Sequence, residues 1–217
     1  MAVKVGLKVI EIWNDSMENA VAAYEKEPIQ KGKIVFYGPS YFTRWSSKYG
    51  VTPLDEALPG KSGAPCAINR GFGSSCAEHH LYYYPRMIRP LAPKVLVYAS
   101  HGNGGHFGYS IEEIWEIAQR VIAYALADFP DIHIYLCGAA PQRQMDKEEL
   151  ASRRTYNAWV KEFAENTPNC FYIDPLEYTP LQSADNFVDD GVHFNAKGYR
   201  IYAELFKEAL KDELTRF

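Results

Sequence analysis

The chain of 217 residues is long enough for one domain with a substantial core, and its 47% hydrophobic and 23% charged residues are typical of a globular protein. Its formal net charge of −4, without a long run of Lys or Arg, argues against nucleic acid as a partner, because phosphate binding needs a basic surface. No segment has the roughly 20 apolar residues of a membrane-spanning helix, and the N-terminus lacks the apolar core of a secretory signal, so we expect no membrane partner and a cytoplasmic location.

Short apolar runs alternate with amphipathic segments along the chain. Continuous apolar runs are typical of buried parallel strands, and they predict strands over residues 33–37, 64–69, 94–99, 132–137 and 170–173. Apolar residues at helical spacing predict helices over residues 15–26, 110–127, 146–165 and 195–214.

This alternation favours an α/β fold, namely a three-layer α/β/α sandwich with a doubly wound, mainly parallel, five-stranded sheet of the flavodoxin-like kind. We expect residues 1–217 to form a single domain, in which residues 1–32 are an N-terminal helical lead-in. The four cysteines form no C-x-x-C pair, and we expect them to be reduced thiols with no catalytic role.

Ser40 follows the first predicted strand in the loop that begins at Gly38. In folds of this class ligands bind beyond the carboxyl ends of the strands, so a serine hydroxyl there is well placed for a nucleophile. The alternative interpretation is that Ser40 only caps the next helix.

Asp190 and His193 lie in the last loop before the C-terminal helix. An aspartate three residues before a histidine, across Gly191, can hold imidazole Nδ1 and leave Nε2 free to take a proton from a hydroxyl. The alternative is a loop histidine that an acidic neighbour merely satisfies. A parallel sheet can bring this loop and Ser40 to the same edge.

Four sequence blocks together resemble those of the SGNH hydrolase (GDSL-like lipase/esterase) family, over nearly the whole chain. The first is Gly-Pro-Ser at 38–40, the second Ile-Asn-Arg-Gly-Phe-Gly-Ser-Ser at 68–75, and the third Ser-His-Gly-Asn-Gly at 100–104. The last is the Asp190 and His193 pair, followed by Asn-Ala-Lys-Gly-Tyr at 195–199.

The resemblance implies a serine hydrolase that cleaves an ester, an acyl group on a carbohydrate or another small polar molecule, through an acyl-enzyme and without a cofactor. It implies that Ser40 is the nucleophile, that His193 is the general base and that Asp190 orients it. It further implies an oxyanion hole formed by the Ser40 amide, an amide of the second block (Gly73 or Ser74) and the side chain of Asn103.

Three positions depart from the usual family blocks. Pro39 precedes the nucleophile, Ser74 stands where the family prefers glycine, and the third block is one residue longer, with Gly104 in place of its common aspartate. These departures leave an alternative open, a non-catalytic binding protein with the same fold and a degraded oxyanion hole.

Other polar residues near these blocks suggest further contacts. Arg44, Trp45 and His101 are candidates for contact with the substrate, although Trp45 is equally suited to the core. The two histidines of the glycine-rich loop, His101 and His106, raise the alternative of a metal-dependent hydrolase. Because no cysteine or carboxylate cluster accompanies them, we expect no metal site. The sequence leaves the oligomeric state open.

Overall fold

The computed structural model of the protein describes residues 14–217, and it confirms the predicted α/β fold. A five-stranded parallel sheet has the strand order β2-β1-β3-β4-β5. The strands are β1 (Ile34–Gly38), β2 (Ala67–Gly71), β3 (Val95–Ala99), β4 (His133–Cys137) and β5 (Cys170–Ile173).

Eight α-helices accompany the sheet in the described part of the chain. They are α1 (Asn14–Glu25), α2 (Ser40–Thr43), α3 (Leu54–Ala57), α4 (Ala77–Met87), α5 (Ile111–Asp128), α6 (Lys147–Asn166), α7 (Ala196–Ala209) and α8 (Lys211–Leu214). None of the helices described over residues 14–217 is both long and apolar enough to cross a membrane. Part of the predicted lead-in, residues 1–13, lies outside the described residues.

Both faces of the sheet are covered by apolar packing, which explains why the strands read as continuous apolar runs. On β1, Val35 and Tyr37 enter a core formed with α1, α4, α5 and α6, whereas Ile34 and Phe36 enter a second core formed with α2, α3 and α7. The strands end at the same level of the sheet: Gly38 of β1 pairs with Gly71 of β2. At the other side, Cys137 of β4 pairs with both Ala99 of β3 and Ile173 of β5. The loops that follow them therefore meet at one edge.

Two predicted elements differ from the structure by more than one residue in their bounds. The second strand is Ala67–Gly71 rather than residues 64–69, because Pro65 forms only an isolated bridge with Pro59 and the strand continues through polar residues. One of them, Arg70, is only 4% exposed and is compensated by an ion pair with Glu27 at 2.6 Å.

The C-terminal segment is two helices rather than one. It breaks at Leu210, whose backbone (φ −99°, ψ 11°) leaves the helical region, and α8 follows. The break brings the buried Glu213 against His133 at 2.5 Å on β4. The structure also adds α4, which is not among the helices predicted above; on it Tyr83 and Tyr84 are buried and Tyr82 is exposed.

Candidate active site

Ser40 is the first residue of the short helix α2, directly beyond β1. The helix is closed by backbone bonds from the Phe42 amide to the Pro39 carbonyl (3.1 Å) and from the Arg44 amide to the Ser40 carbonyl (2.9 Å). The interpretation of Ser40 as a helix cap is wrong, because the cap position belongs to Pro39 and no side chain caps this helix. The Ser40 hydroxyl is thereby left for other partners.

The second sequence block, residues 68–75, packs against α2 and positions it. The Asn69 side chain donates to the Phe42 carbonyl (2.7 Å) and accepts from the Gly71 amide (2.8 Å), so one amide ties β2 to the helix. At Gly71 a side chain could not be accommodated, since a Cβ there would lie 2.4 Å from the Thr43 nitrogen. The contacts of Asn69 and Gly71 thus fix the position of α2 relative to β2.

The structure brings Ser40, His193 and Asp190 together in a continuous hydrogen-bonded chain. The distance from Ser40 Oγ to His193 Nε2 is 2.8 Å, and that from His193 Nδ1 to Asp190 Oδ2 is also 2.8 Å. Because Asp190 is acceptor-only when ionised, Nδ1 carries the proton and Nε2 of the neutral ring accepts from the Ser40 hydroxyl. This is the arrangement in which an imidazole can remove a serine proton.

The turn that carries Asp190 and His193 is fixed by its own backbone. Asp190 Oδ1 accepts from the amides of Val192 and His193, both at 2.9 Å. Gly191 adopts φ +69°, in the left-handed region that favours glycine. The Val188 amide bonds to the His193 carbonyl at 2.9 Å, which closes the turn.

The segment after this turn connects α7 to α2, the helix that begins at Ser40. Asn195 caps α7 by accepting from the amides of Lys197 and Gly198. At Gly198 a Cβ would lie 2.4 Å from the Asn186 carbonyl oxygen, so the position requires glycine. Tyr199 then donates from its hydroxyl to the Tyr41 carbonyl at 2.8 Å, which holds α2 against α7.

The electrostatic environment favours an ionised Asp190 and a neutral His193. Partial burial alone would raise the pKa of Asp190, but hydrogen bonds from the His193 amide, the His193 ring and the Val192 amide lower it to about 2. The pKa of His193 lies below its usual value, mainly because burial disfavours the cation. The Asp190 carboxylate opposes that shift and the positive charge of Arg44 adds to it.

A cavity of about 520 Å³ opens beside Ser40. This volume lies within the range that small-molecule sites occupy. Apolar side chains of α5 and polar side chains of the β3–α5 loop and α6 share its wall, and the lining residues used below are Ser40, Tyr41, His101, Asn103, Gln142, Glu149 and Arg153.

The three remaining candidates for the oxyanion hole differ in their placement. Asn103 lines the cavity, and its side-chain nitrogen donates to the Ser75 carbonyl at 2.9 Å. Gly73 and Ser74 lie in the loop after β2 and do not line the cavity. Ser74 is exposed and has φ +62°, which gives a physical reason for the family's glycine at this position.

The three candidates for substrate contact also have different outcomes. His101 lines the cavity, and burial together with the nearby positive charge of Arg153 lowers its pKa to about 3. Trp45 does not line that cavity: it is 1% exposed and packs against Tyr202 and Phe206 in the core, so the prediction of substrate contact is wrong for it.

Arg44 is likewise absent from the wall of the cavity. It donates to Asp190 Oδ2 at 3.2 Å and its guanidinium lies over the Tyr49 ring, so it neighbours Asp190 rather than the cavity.

Two of the other histidines each have a single carboxylate or thiol partner: His133 Nδ1 lies 2.5 Å from Glu213 Oε1, and His79 Nδ1 lies 3.2 Å from Cys76 Sγ. His79 and His80 are buried on α4, and His80 bonds to Ser75 Oγ at 2.9 Å. Within residues 14–217 no group of three or more His, Cys, Asp or Glu side chains is arranged to hold a metal ion.

Sequence reasoning missed two contributors to this site. Tyr41 donates from its hydroxyl to the Val192 carbonyl at 2.9 Å, and its position next to Ser40 was the available signal. Arg153 lies on the buried face of α6, in register with Tyr156, Asn157 and Val160. A charged residue at a core position of a helix was the signal there.

A model of the GDSL-like Lipase/Acylhydrolase family matches residues 36–201. Similar solved structures include a GDSL-like lipase from Bacteroides thetaiotaomicron VPI-5482 (17% identity, 93% of this chain and 98% of that chain, TM-score 0.67). An acetyl xylan esterase is 21% identical over 82% of this chain and 99% of its own, with a TM-score of 0.66.

A carbohydrate esterase of family 3 from Talaromyces cellulolyticus is 15% identical over 84% of this chain and 98% of its own, with a TM-score of 0.65. At identities this low the likeness is one of fold. No curated protein matches the sequence.

Proposed function

The chain belongs to the GDSL-like lipase/acylhydrolase family and is an esterase of the SGNH type, and from this premise we propose that it cleaves an acyl ester of a carbohydrate or another small polar molecule through a Ser40–His193–Asp190 triad. The observation that carries the proposal is the chain of two 2.8 Å hydrogen bonds that joins the three side chains. The cavity beside Ser40 supports it, because it gives the ester room to approach the hydroxyl.

In the first half of the reaction, Ser40 Oγ attacks the ester carbonyl carbon while His193 Nε2 takes the hydroxyl proton. The tetrahedral intermediate carries its negative charge on the former carbonyl oxygen. It collapses when the ester C–O bond breaks, and His193 gives its proton to the departing alcohol. The product of this half is an acyl-enzyme on Ser40.

In the second half, a water molecule gives a proton to His193 and attacks the acyl carbon. Collapse of the second intermediate breaks the bond to Ser40 Oγ and returns the proton to it, so that the carboxylic acid leaves. Asp190 stays ionised throughout and stabilises the imidazolium that forms twice in each cycle.

The oxyanion is stabilised by donors near Ser40. The Ser40 amide lies at the start of α2 and has no acceptor within residues 14–217. Asn103 uses one of its two side-chain N–H groups on Ser75, which leaves the other for the oxyanion. The Gly73 amide, also without an acceptor in the described chain, is the third donor, ahead of Ser74.

The test is hydrolysis of 4-nitrophenyl acetate by the wild type and by Ser40→Ala, with Ser47→Ala as a matched control on an exposed serine nearby. We expect Ser40→Ala to lose activity by about 10⁴-fold or more, because the members of a triad act as a unit. A fluorophosphonate should label Ser40 and no other serine. Equal turnover by wild type and Ser40→Ala would remove Ser40 from the mechanism, and labelling at the background rate would favour the non-catalytic binding protein.

We also propose that the enzyme works in the cytoplasm. All four cysteines (Cys66, Cys76, Cys137 and Cys170) are buried free thiols, and unpaired thiols are typical of reducing compartments. Fractionation of the native host, with detection by antibody, tests this assignment; recovery from the medium or the envelope would contradict it.

A further inference from the structure

We propose that three residues of the cavity, Gln142, Glu149 and Arg153, form a subsite that binds an uncharged, hydroxyl-bearing part of the substrate and disfavours an anionic one. We call these three residues the polar wall. The inference rests on the proposed function, since the polar wall belongs to the same cavity as Ser40. It assigns the substrate a chemical class, a neutral polyhydroxylated ester.

Arg153 is the centre of the polar wall, and its hydrogen bonds are nearly all occupied. Its side chain is 8% exposed, and Nη1 donates to the Ala140 carbonyl at 2.7 Å. Nε and Nη2 both donate to Glu149 Oε1, at 3.2 and 2.7 Å. In the amide orientation that satisfies both neighbours, Gln142 donates to Glu149 Oε1 at 3.2 Å and accepts from Arg153 Nη2 at 2.7 Å.

The groups that remain after these bonds include both donors and acceptors. Four of the five guanidinium N–H groups are used, which leaves one. Glu149 Oε2 and the second amide hydrogen of Gln142 are also uncommitted within the described chain. A hydroxyl group both donates and accepts, so a ligand with several hydroxyls can satisfy this mixed set.

The net charge of the polar wall argues against an anionic ligand. Arg153 and Glu149 are the full charges of opposite sign that line the cavity, and they are paired with each other at 2.7 Å. A carboxylate or phosphate would meet the Glu149 carboxylate and would have to compete with it for Arg153. His101 adds no positive charge at neutral pH, because burial and Arg153 lower its pKa to about 3.

Tyr41 connects the polar wall to the reacting groups. Its hydroxyl donates to the Val192 carbonyl at 2.9 Å, next to His193, and lies 3.4 Å from the Pro141 carbonyl, next to Gln142. One side chain therefore contacts both the segment next to His193 and the segment next to Gln142. A substrate with its ester at Ser40 can extend along Tyr41 to the polar wall.

Three esters test the proposal. The first is 4-nitrophenyl acetate, which has no hydroxyl, and the second is a monoacetylated methyl glucoside. The third is the matching monoacetylated methyl glucuronide, which has a carboxylate in place of the primary alcohol of the glucoside. We expect wild-type kcat/KM to favour the glucoside over the glucuronide by about tenfold or more, since like charges disfavour binding by more than 1.4 kcal/mol, the equivalent of tenfold.

Glu149→Gln keeps the shape of the side chain and removes its charge. We expect it to reduce the preference for the glucoside about tenfold, chiefly by raising activity on the glucuronide, while 4-nitrophenyl acetate hydrolysis changes less than about twofold. Glu148→Gln is the matched control, because Glu148 lies in the same first turn of α6, is exposed and does not line the cavity. Gln142→Leu should lower activity on the glucoside about tenfold and spare 4-nitrophenyl acetate.

Binding of the two sugar esters to Ser40→Ala separates this proposal from the proposed function, because affinity needs no turnover. A preference for the glucoside in that variant supports the polar wall even if the wild type proves inactive. Equal affinity for both esters would overturn the proposal. It would also be overturned by equal shifts in Glu149→Gln and Glu148→Gln, measured on samples with the wild-type circular dichroism spectrum.

Discussion

The pairing of Asp190 with His193 is set by contacts within three residues in one local turn, whereas Asn103 is positioned by a contact between two distant segments. Asp190 bonds to the amides and ring that follow it within three positions. Asn103, in contrast, is held by the carbonyl of Ser75, which lies 28 positions earlier. The Asp190–His193 pair can form from its own short sequence, and the distant Tyr41 and Arg143 add contacts to the turn at the Val192 and Gly191 carbonyls. The assembled region, with Asn103 on Ser75, depends on distant segments from the start.

The largest expected effect is in the local turn. His193→Ala should lower kcat/KM for 4-nitrophenyl acetate about 10⁴-fold or more, because no other group takes the Ser40 proton. His106→Ala is the matched control, since His106 is exposed on the same cavity. A metal-dependent hydrolase would show the reverse, with activity lost in His106→Ala and on chelation.

The assembled region should give a smaller effect of a different kind. Asn103→Ala should lower kcat about 10²–10³-fold with little change in KM, because the oxyanion bond exists mainly in the transition state. Steady-state kinetics over a range of ester concentrations measures both constants. A change confined to KM would remove Asn103 from the oxyanion hole.

The pH profile probes the charges around the local turn. In the proposed mechanism neutral His193 is the active form, so kcat/KM should rise with pH through the pKa of His193, which lies below the usual value of about 6.5. Asp190, with a pKa of about 2, stays ionised over this range.

Arg44→Met should move the midpoint of that profile to higher pH, because the positive charge of Arg44 lowers the pKa of His193. Lys48→Met removes a nearby positive charge from an exposed residue and serves as the control. A midpoint that stays in place in Arg44→Met, or that moves equally in Lys48→Met, would contradict this origin of the shift.

The smallest expected effect concerns backbone strain in the assembled region. Ser74→Gly should raise the free energy of unfolding by up to about 1 kcal/mol, because glycine adopts φ +62° without the penalty that a Cβ brings. Urea denaturation measures the change. Asn169→Gly, at another exposed position with φ +62°, is the companion variant, and a loss of stability in both would contradict the argument.

The same contrast explains how much could be predicted from the sequence. The strands and the capped helix after Ser110 follow from local apolar spacing and from the Ser110–Glu113 capping box, and the structure contains them. The polar residue Arg70 concealed the end of β2, because its compensating charge comes from Glu27, 43 positions earlier and beyond the end of α1.

In the candidate site, Ser40, Asp190 and His193 each follow a recognisable local pattern. The position of Tyr41 next to Ser40 is visible in the sequence. Its hydrogen bonds could not be predicted, because its partners Pro141 and Val192 lie 100 and 151 positions away. The role of Trp45 was ambiguous for the same reason. Its ring belongs to the core because it packs against Tyr202 of α7, which is distant in the sequence.

The hydrogen bond between Ser40 and His193 joins residues 153 positions apart in the chain. Closing so long a loop costs chain entropy that local structure does not repay, so contacts of this kind slow folding. We therefore expect Ser40 and His193 to meet only after the sheet has formed and α7 has docked on α2. During refolding from denaturant we therefore expect helical content to return before esterase activity, which makes turnover a reporter of the last native contacts to form.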